Sequence, residues 1–254
     1  MADKGASEDV KQRLDVLITQ AGYFPTRSRA RDAIVRGTVS VNGEPCLRPG
    51  ARFDADASFT VEDSAHGYVS RGALKLLAGL DHFGFDPSGR TVIDIGMSTG
   101  GFSQALLERG AAHVIGIDVG RDQLHPSLKT HPGLTCIEGL NARDLDVDVT
   151  QGRPIEAIVC DVSFISMKLA LPPALDMAQT DSFCVLLVKP QFEAGRQAIG
   201  KGGLLKDRSL GPKIAGELSQ WLETVPGWQS KGFVVSPIEG GDGNEEFLLG
   251  GLKR

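Results

Sequence analysis

Cysteine is scarce and unpaired in this chain of 254 residues: Cys46, Cys136, Cys160 and Cys184 lie far apart, with no C-x-x-C among them. Three of the four sit in or beside apolar runs, where a thiol serves as a small buried hydrophobe rather than as half of a disulfide framework. The five histidines include no H-E-x-x-H and no pair four residues apart, so the common helical zinc pattern is missing and no metal is expected. No apolar run reaches the roughly 18 residues that cross a bilayer. The first ten residues are polar, carry Asp3, Glu8 and Asp9, and lack the basic start and apolar stretch of a secretory signal. The expected compartment is therefore the cytoplasm, with no membrane partner, and residues 1–10 are expected to be a disordered tail. Repeats and low-complexity tracts are also missing. What remains is ordinary globular composition, 41% hydrophobic and 23% charged, in a length that suits a medium domain with a small one attached.

The net charge of −5 argues on average against a polyanionic partner, yet its distribution argues for one. Between Lys11 and Arg52 stand eight Lys or Arg and three acids, so a basic module precedes an acidic body and concentrates phosphate attraction at one end. Within that module Leu14, Leu17 and Ile18 followed by Gly22 mark a short helix. Thr26 is placed to cap a second helix with Ala30, Ala33 and Ile34 inward and Gly37 at its end. Thr38–Val41 alternates as a strand, Asn42-Gly43 is a tight-turn signal, and Phe59–Glu62 reads as a further strand. These elements make a small α+β domain over 11–63, followed by a linker over 64–69.

From Ser70, read as the cap of a helix ending near Phe83, strands and helices alternate over 70–254. Apolar runs at Thr91–Gly96, His113–Gly120, Ile155–Asp161 and Ser182–Val188 are separated by helical stretches, a rhythm that means a parallel sheet covered on both faces. A helix over Leu210–Val225 leads to strands at Gly232–Ser236 and Glu246–Leu252. The run DIGMSTGGFSQ falls where the first strand ends. Gly96, Gly100 and Gly101 permit a tight turn that lets backbone approach a ligand, and Asp118, about 20 residues past the turn, holds the place of a ribose-binding acid. The second glycine of a dinucleotide fingerprint is replaced by Ser98, which disfavours a pyrophosphate ligand and suits S-adenosylmethionine. Asp94, at the head of the motif, suits that ligand's ammonium group.

Further candidates stand where such a sheet exposes the carboxyl ends of its strands: Asp161 in CDVSF, Lys189 in LLVKPQFE, and Glu245 or Glu246 in GDGNEEF. A lysine leaving an apolar strand is partly desolvated, which lowers its pKa toward the range of a general base. A solvated lysine at a strand end is the alternative.

The segments VSRGALKL, DIGMSTGGF, CDVSFIS, LVKPQFEAG and SPIEGGDGNEEF together resemble the TlyA, or hemolysin A, family of rRNA 2′-O-methyltransferases. RLDVLITQAGYFPTRSRARDAIVRGTVSVNG resembles the ribosomal-protein S-four-type RNA-binding domain that precedes their catalytic domain. The resemblance implies a Rossmann-type class I S-adenosylmethionine-dependent methyltransferase fold with a mostly parallel seven-stranded sheet. It also implies an FtsJ-type tetrad of Lys75, Asp161, Lys189 and Glu246, in which Lys189 takes the ribose 2′-hydroxyl proton. Asp94, Gly96, Ser98, Gly100, Gly101, Asp118 and Asp144 are the cofactor positions it suggests, and Arg13, Arg27, Arg29 and Arg36 the RNA-facing ones. The implied partner is ribosomal RNA, within ribosomal subunits. One departure stands out: Arg121-Asp122 in VGRDQL replace the Tyr-Gly of the family's turn at the adenosine end.

Three other classes compete. A non-catalytic RNA-binding protein would fail to bind S-adenosylmethionine. A membrane-active hemolysin would need an amphipathic membrane segment that the sequence lacks. A nicotinamide oxidoreductase would need the missing glycine.

Overall fold

The computed structural model describes residues 11–63, 65, 67–240 and 243–254; the expected tail at 1–10 and part of the expected linker (Ser64 and His66) lie outside them. The chain divides into two compact units, Met1–Gly67 and Tyr68–Arg254.

In the first unit, β1 (Gln12–Arg13) pairs antiparallel with β4 (Arg52–Phe53). Helices α1 (Leu14–Gln20) and α2 (Arg27–Val35) pack together beside a sheet of β3 (Glu44–Pro45), β2 (Val39–Val41) and β5 (Phe59–Val61). Thr26 caps α2 as its sequence position requires, its Oγ1 accepting from the Arg29 amide at 3.3 Å. Leu14, Ile18, Ala30, Ala33, Ile34, Val39 and Val41 close one small core.

The second unit opens with α3 (Gly72–Phe83). Its N-cap is Arg71 and no side chain caps it, so the expected cap from Ser70 does not form. The Ser70 hydroxyl instead fills the space that a side chain on Gly101 would need. There follow β6 (Thr91–Ile95), α4 (Gly101–Glu108), β7 (His113–Asp118), β8 (Leu134–Glu138) and β9 (Ile155–Cys160). Next come α5 (Met167–Ala170), α6 (Pro172–Met177), β10 (Ala178–Val188) and α7 (Pro190–Glu193). The chain ends with α8 (Leu210–Glu223), β11 (Trp228–Val235) and β12 (Phe247–Lys253). The seven strands run in the order β11-β12-β10-β9-β6-β7-β8. The five strands from β10 to β8 are parallel, and β12 joins β10 and β11 antiparallel. The sheet is thus the mostly parallel seven-stranded one expected, with strand β8 and the first half of β11 added to what the apolar runs marked.

Residues alternate between two cores, as pleating requires. Ile93, Ile95, Ile158 and Cys160 pack under α5, α6 and α8, whereas Val92, Ala157 and Val159 pack under α3 and α4. Each fully buried aliphatic side chain contributes about 1.5–3 kcal/mol, and together the two faces fix the sheet between helices. No helix among the described residues is long and apolar enough to cross a membrane.

Candidate active site

The order of strands reverses between β6 and β9, and the carboxyl ends of open α/β sheets bind ligands at such a switch point. Two adjoining cavities open there. The larger, of about 500 Å³, is walled by Ile95, Asp118, Val119, Asn141, Ala142 and Phe164. The smaller, of about 240 Å³, is walled by Ser70, Arg71, Lys75, Thr99, Gly101 and Phe102. Gly96, Ser98 and Asp161 line both.

The turn after β6 makes the shared wall. Gly96 has φ 82°, and its amide and that of Met97 both donate to the Ile117 carbonyl, at 2.9 and 3.1 Å. A Cβ on Gly96 would lie 2.7 Å from the Asp161 carbonyl oxygen, so only glycine fits. Ser98 donates its amide to Asp118 Oδ2 at 2.8 Å and Gly120 donates to Oδ1 at 2.7 Å. The Asp118 carboxylate is thereby oriented by backbone on two sides at the cavity wall. At the end of β8 the Glu138 carboxylate accepts the amides of Asp122, Gln123 and Leu124 at 2.7–3.2 Å. These amides, with Gln123 foremost, hold its pKa below the usual carboxylate range. The Arg121-Asp122 turn is therefore pinned by backbone bonds that do not depend on its side chains.

Three expected cofactor positions fall elsewhere. Asp94 has no exposure and lines neither cavity; its Oδ2 accepts from Ser103 Oγ on α4 at 2.6 Å. Its place in the middle of the β6 pleat, on the α3–α4 face, turns it into the core. Asp144 is exposed, while its neighbours Asn141 and Ala142 form the wall. Gly100 is the N-cap of α4 behind the wall, where a Cβ would lie 2.5 Å from Leu128 Cδ1.

Two lysine–carboxylate pairs bring distant parts of the chain together here, with Lys75 lining the smaller cavity and Asp161 lining both. Lys75, carried inward by α3, lies 2.5 Å from Glu246, which stands just before β12. Lys189, at the end of β10, lies 2.6 Å from Asp161, at the end of β9. The second contact is an ion pair without hydrogen-bond alignment; Lys189 Nζ donates instead to Ser163 Oγ at 2.8 Å. The Lys75, Glu246 and Lys189 side chains are 10%, 3% and 13% exposed, so each charge depends on its partner rather than on water.

Two residues of this site carry no signal of their own in the sequence. Glu193 accepts Ser166 Oγ at 2.6 Å and the Met167 amide at 2.8 Å, tying the segment after β10 to the segment after β9. Phe164 sits in the left-handed region at φ 66°, 89% exposed, with its ring 4.9 Å from that of Phe192. Such a backbone costs an aromatic residue about 1–3 kcal/mol and is characteristic of ligand clamps. Both lie inside quoted motifs, but nothing in residue type alone separates them from their neighbours.

In the first unit the expected RNA-facing arginines have partners. Arg13 Nη2 and Arg27 Nη2 lie 2.9 and 3.1 Å from the buried Asp15 carboxylate, whose pKa they lower, Arg13 most. Their side chains remain 41% and 56% exposed. Arg29 donates to the Ala65 carbonyl at 3.3 Å. Arg36 is different: it bridges Asp32 and Asp63 at 3.0 and 2.6 Å with only 18% of its side chain exposed. Folded back past the end of α2, it is a structural cross-link rather than an RNA contact.

The model of the FtsJ-like methyltransferase family matches residues 68–253, and that of the S4 domain residues 12–57. The 16S/23S rRNA (cytidine-2′-O)-methyltransferase TlyA of Mycobacterium tuberculosis is 39% identical over 240 residues, 94% of this chain and 89% of that protein. This chain belongs to the TlyA family. Hemolysin A of Brachyspira hyodysenteriae, of the same family, is 36% identical, covering 93% of this chain and 98% of that one. A solved structure from Streptococcus thermophilus, described there as a hemolysin, superposes with a TM-score of 0.72 at 38% identity over 96% of this chain and 88% of its own. As a TlyA-family protein the chain is a methyltransferase of the FtsJ-like kind with an S4 domain ahead of the catalytic unit, and S-adenosylmethionine is the donor such enzymes use.

Proposed function

We propose that this chain transfers the methyl group of S-adenosylmethionine to a ribose 2′-oxygen of ribosomal RNA, as TlyA of Mycobacterium tuberculosis does at cytidine. The observation that carries the reading is that two lysine–carboxylate pairs each place one member on the smaller cavity, Lys75 of one and Asp161 of the other, with Asp161 lining the larger cavity as well. The cavities fit the donor: the larger has apolar walls and an oriented carboxylate for a nucleoside, and the smaller has hydroxyls, Arg71 and Lys75 for a charged amino-acid tail.

When bound, S-adenosylmethionine supplies a methyl group already activated on a positively charged sulfur. The protein's task is then to place a hydroxyl and relieve it of a proton. Lys189 Nζ stands at the end of β10 beside Asp161, which lines both cavities, and in its neutral form accepts the 2′-proton. Asp161 and Ser163 fix the direction of Lys189 and stabilise the ammonium that forms. Glu246 holds Lys75 at the wall of the smaller cavity, so a second cation stands on the cavity that Asp161 also lines. Phe164, exposed on the wall of the larger cavity and packed on Phe192, is suited to stacking an unpaired base. Arg13, Arg27 and Arg29 add phosphate contacts from the S4 unit, giving affinity with little sequence choice.

Labelled methyl transfer to unmodified ribosomal subunits tests the reading, with Lys189→Ala alongside. Label at a ribose 2′-oxygen, falling about 10²–10⁴-fold in the variant, is expected from loss of a general base. Full activity of Lys189→Ala would remove Lys189 from the mechanism, and label on a base would remove the ribose.

A further inference from the structure

We propose that the hairpin around Lys201 is an RNA-backbone clamp belonging to the catalytic unit itself, separate from the S4 unit. The proposal rests on the rRNA reading above and adds the surface that grips the strand next to the tetrad. From Arg196 to Lys213 the chain carries five cations (Arg196, Lys201, Lys206, Arg208 and Lys213) and one acid, Asp207. This stretch is net +4 in a chain of net −5. All five cations are exposed, and among the described residues none of them forms an ion pair. The contrast with the S4 unit is direct: there Arg13, Arg27 and Arg36 are neutralised by Asp15, Asp32 and Asp63. A cluster of like charge left without counter-charges repels itself, unless an external anion is its partner.

The cluster is also held in shape. Ile199 and Leu205 bridge antiparallel, Gly200 N donates to the Leu204 carbonyl at 2.7 Å, and Lys206 N to the Ala198 carbonyl at 3.0 Å. Gly202 and Gly203 turn the tip with φ 76° and 81°, a conformation that suits glycine. Asn244, only 4% exposed, then fastens the hairpin: its Oδ1 accepts from Leu205 N at 3.1 Å and its Nδ2 donates to the Gly203 carbonyl at 3.0 Å. Two residues beyond Asn244 stands Glu246, the partner of Lys75, while Arg196 follows Lys189 by seven positions. One root of the hairpin therefore follows the strand that ends at Lys189, and the residue that fastens it, Asn244, precedes Glu246, so a phosphate chain gripped by Lys201, Lys206 and Arg208 would be tied to the segments that bear both residues.

The test is RNA binding by the full chain and by its Lys201→Ala/Lys206→Ala/Arg208→Ala variant, using a short fluorescein-labelled RNA stem–loop across a salt series. Each lost phosphate contact should reduce the slope of log K against log salt by about 0.7–0.9, hence about 2–3 for the variant. Affinity should fall about 10–100-fold at low salt, with S-adenosylmethionine affinity unchanged. An unaltered slope and affinity would overturn the clamp. Methyl transfer by the unmutated chain to ribosomal subunits is measured in parallel. Its absence would sink the rRNA reading, while the slope would still decide the clamp.

Discussion

At the scale of single residues the site uses burial to make charges depend on one another, and Asp94 shows the opposite case. It has no exposure and, among the described residues, no cationic partner, and one of its oxygens is without a hydrogen bond. Burial foremost, with the nearby Asp161 charge adding, pushes its pKa up to about 7. A carboxyl raised in the folded state above its unfolded value gives stability that is complete below about pH 4 and is lost as pH rises toward 7. Asp94→Asn keeps an acceptor for Ser103 Oγ and removes the charge. It should be more stable than the parent at pH 8 by up to roughly 4 kcal/mol, with the gap closing toward pH 4. Urea midpoints measured at both pH values check this; parallel pH dependences would reject it. Asp15 behaves in the reverse sense. Its pKa is lowered by Arg13 and Arg27, so its contribution is present above about pH 4 and fades as pH falls further.

At the scale of elements, function is set by loops that ordered segments hold in place. The turn after β7 hangs on the Glu138 carboxylate at the end of β8 through three amides. Glu138→Gln removes the charge and one acceptor oxygen, which loosens the turn and should weaken S-adenosylmethionine binding about tenfold. Calorimetric titration reads this directly, and an unchanged Kd would show that the turn keeps its shape without Glu138. The basic hairpin hangs in the same way on Asn244. Asn244→Ala leaves the Leu205 amide unpaired at a cost of about 1–3 kcal/mol. Amide exchange over 199–206 should therefore quicken while exchange in α8 stays slow. Uniform protection in both segments would show that the hairpin is held by its own bonds.

At the scale of the whole molecule, each unit has its own core, and the cofactor cavities lie wholly within residues 68–254. A chain starting at Tyr68 should bind S-adenosylmethionine with the affinity of the full protein. Ligand at about 100 times Kd should stabilise it by about 2.7 kcal/mol, visible as a raised melting temperature. Its RNA affinity should be lower than that of the full chain, with a shallower salt dependence. Equal RNA affinity would place all phosphate contacts in the catalytic unit.

Much of this was legible in residue order. Apolar runs spaced by helical stretches determined the parallel sheet, because strands buried on both faces must be continuously apolar. The Gly96 turn and Asp118 fell in register with the ends of two strands. Lys189 announced itself as a charge leaving the run Cys184–Val188. Lys75, by contrast, is an unremarkable polar residue on a helix, and only its resemblance to family motifs picked it out. Strand β8 and the start of β11 were unmarked, since each is an edge with one neighbour and a half-exposed pattern. What only the tertiary structure decided is pairing and facing. It turned Asp94 into the core, joined Lys75 to Glu246 across 171 positions, tied Arg36 to Asp63, and left the cations of the Lys201 hairpin without ion pairs among the described residues. Local order sets periodicity and turn chemistry, whereas whether a charge meets water, a partner or apolar side chains depends on segments that become neighbours only when the sheet is assembled.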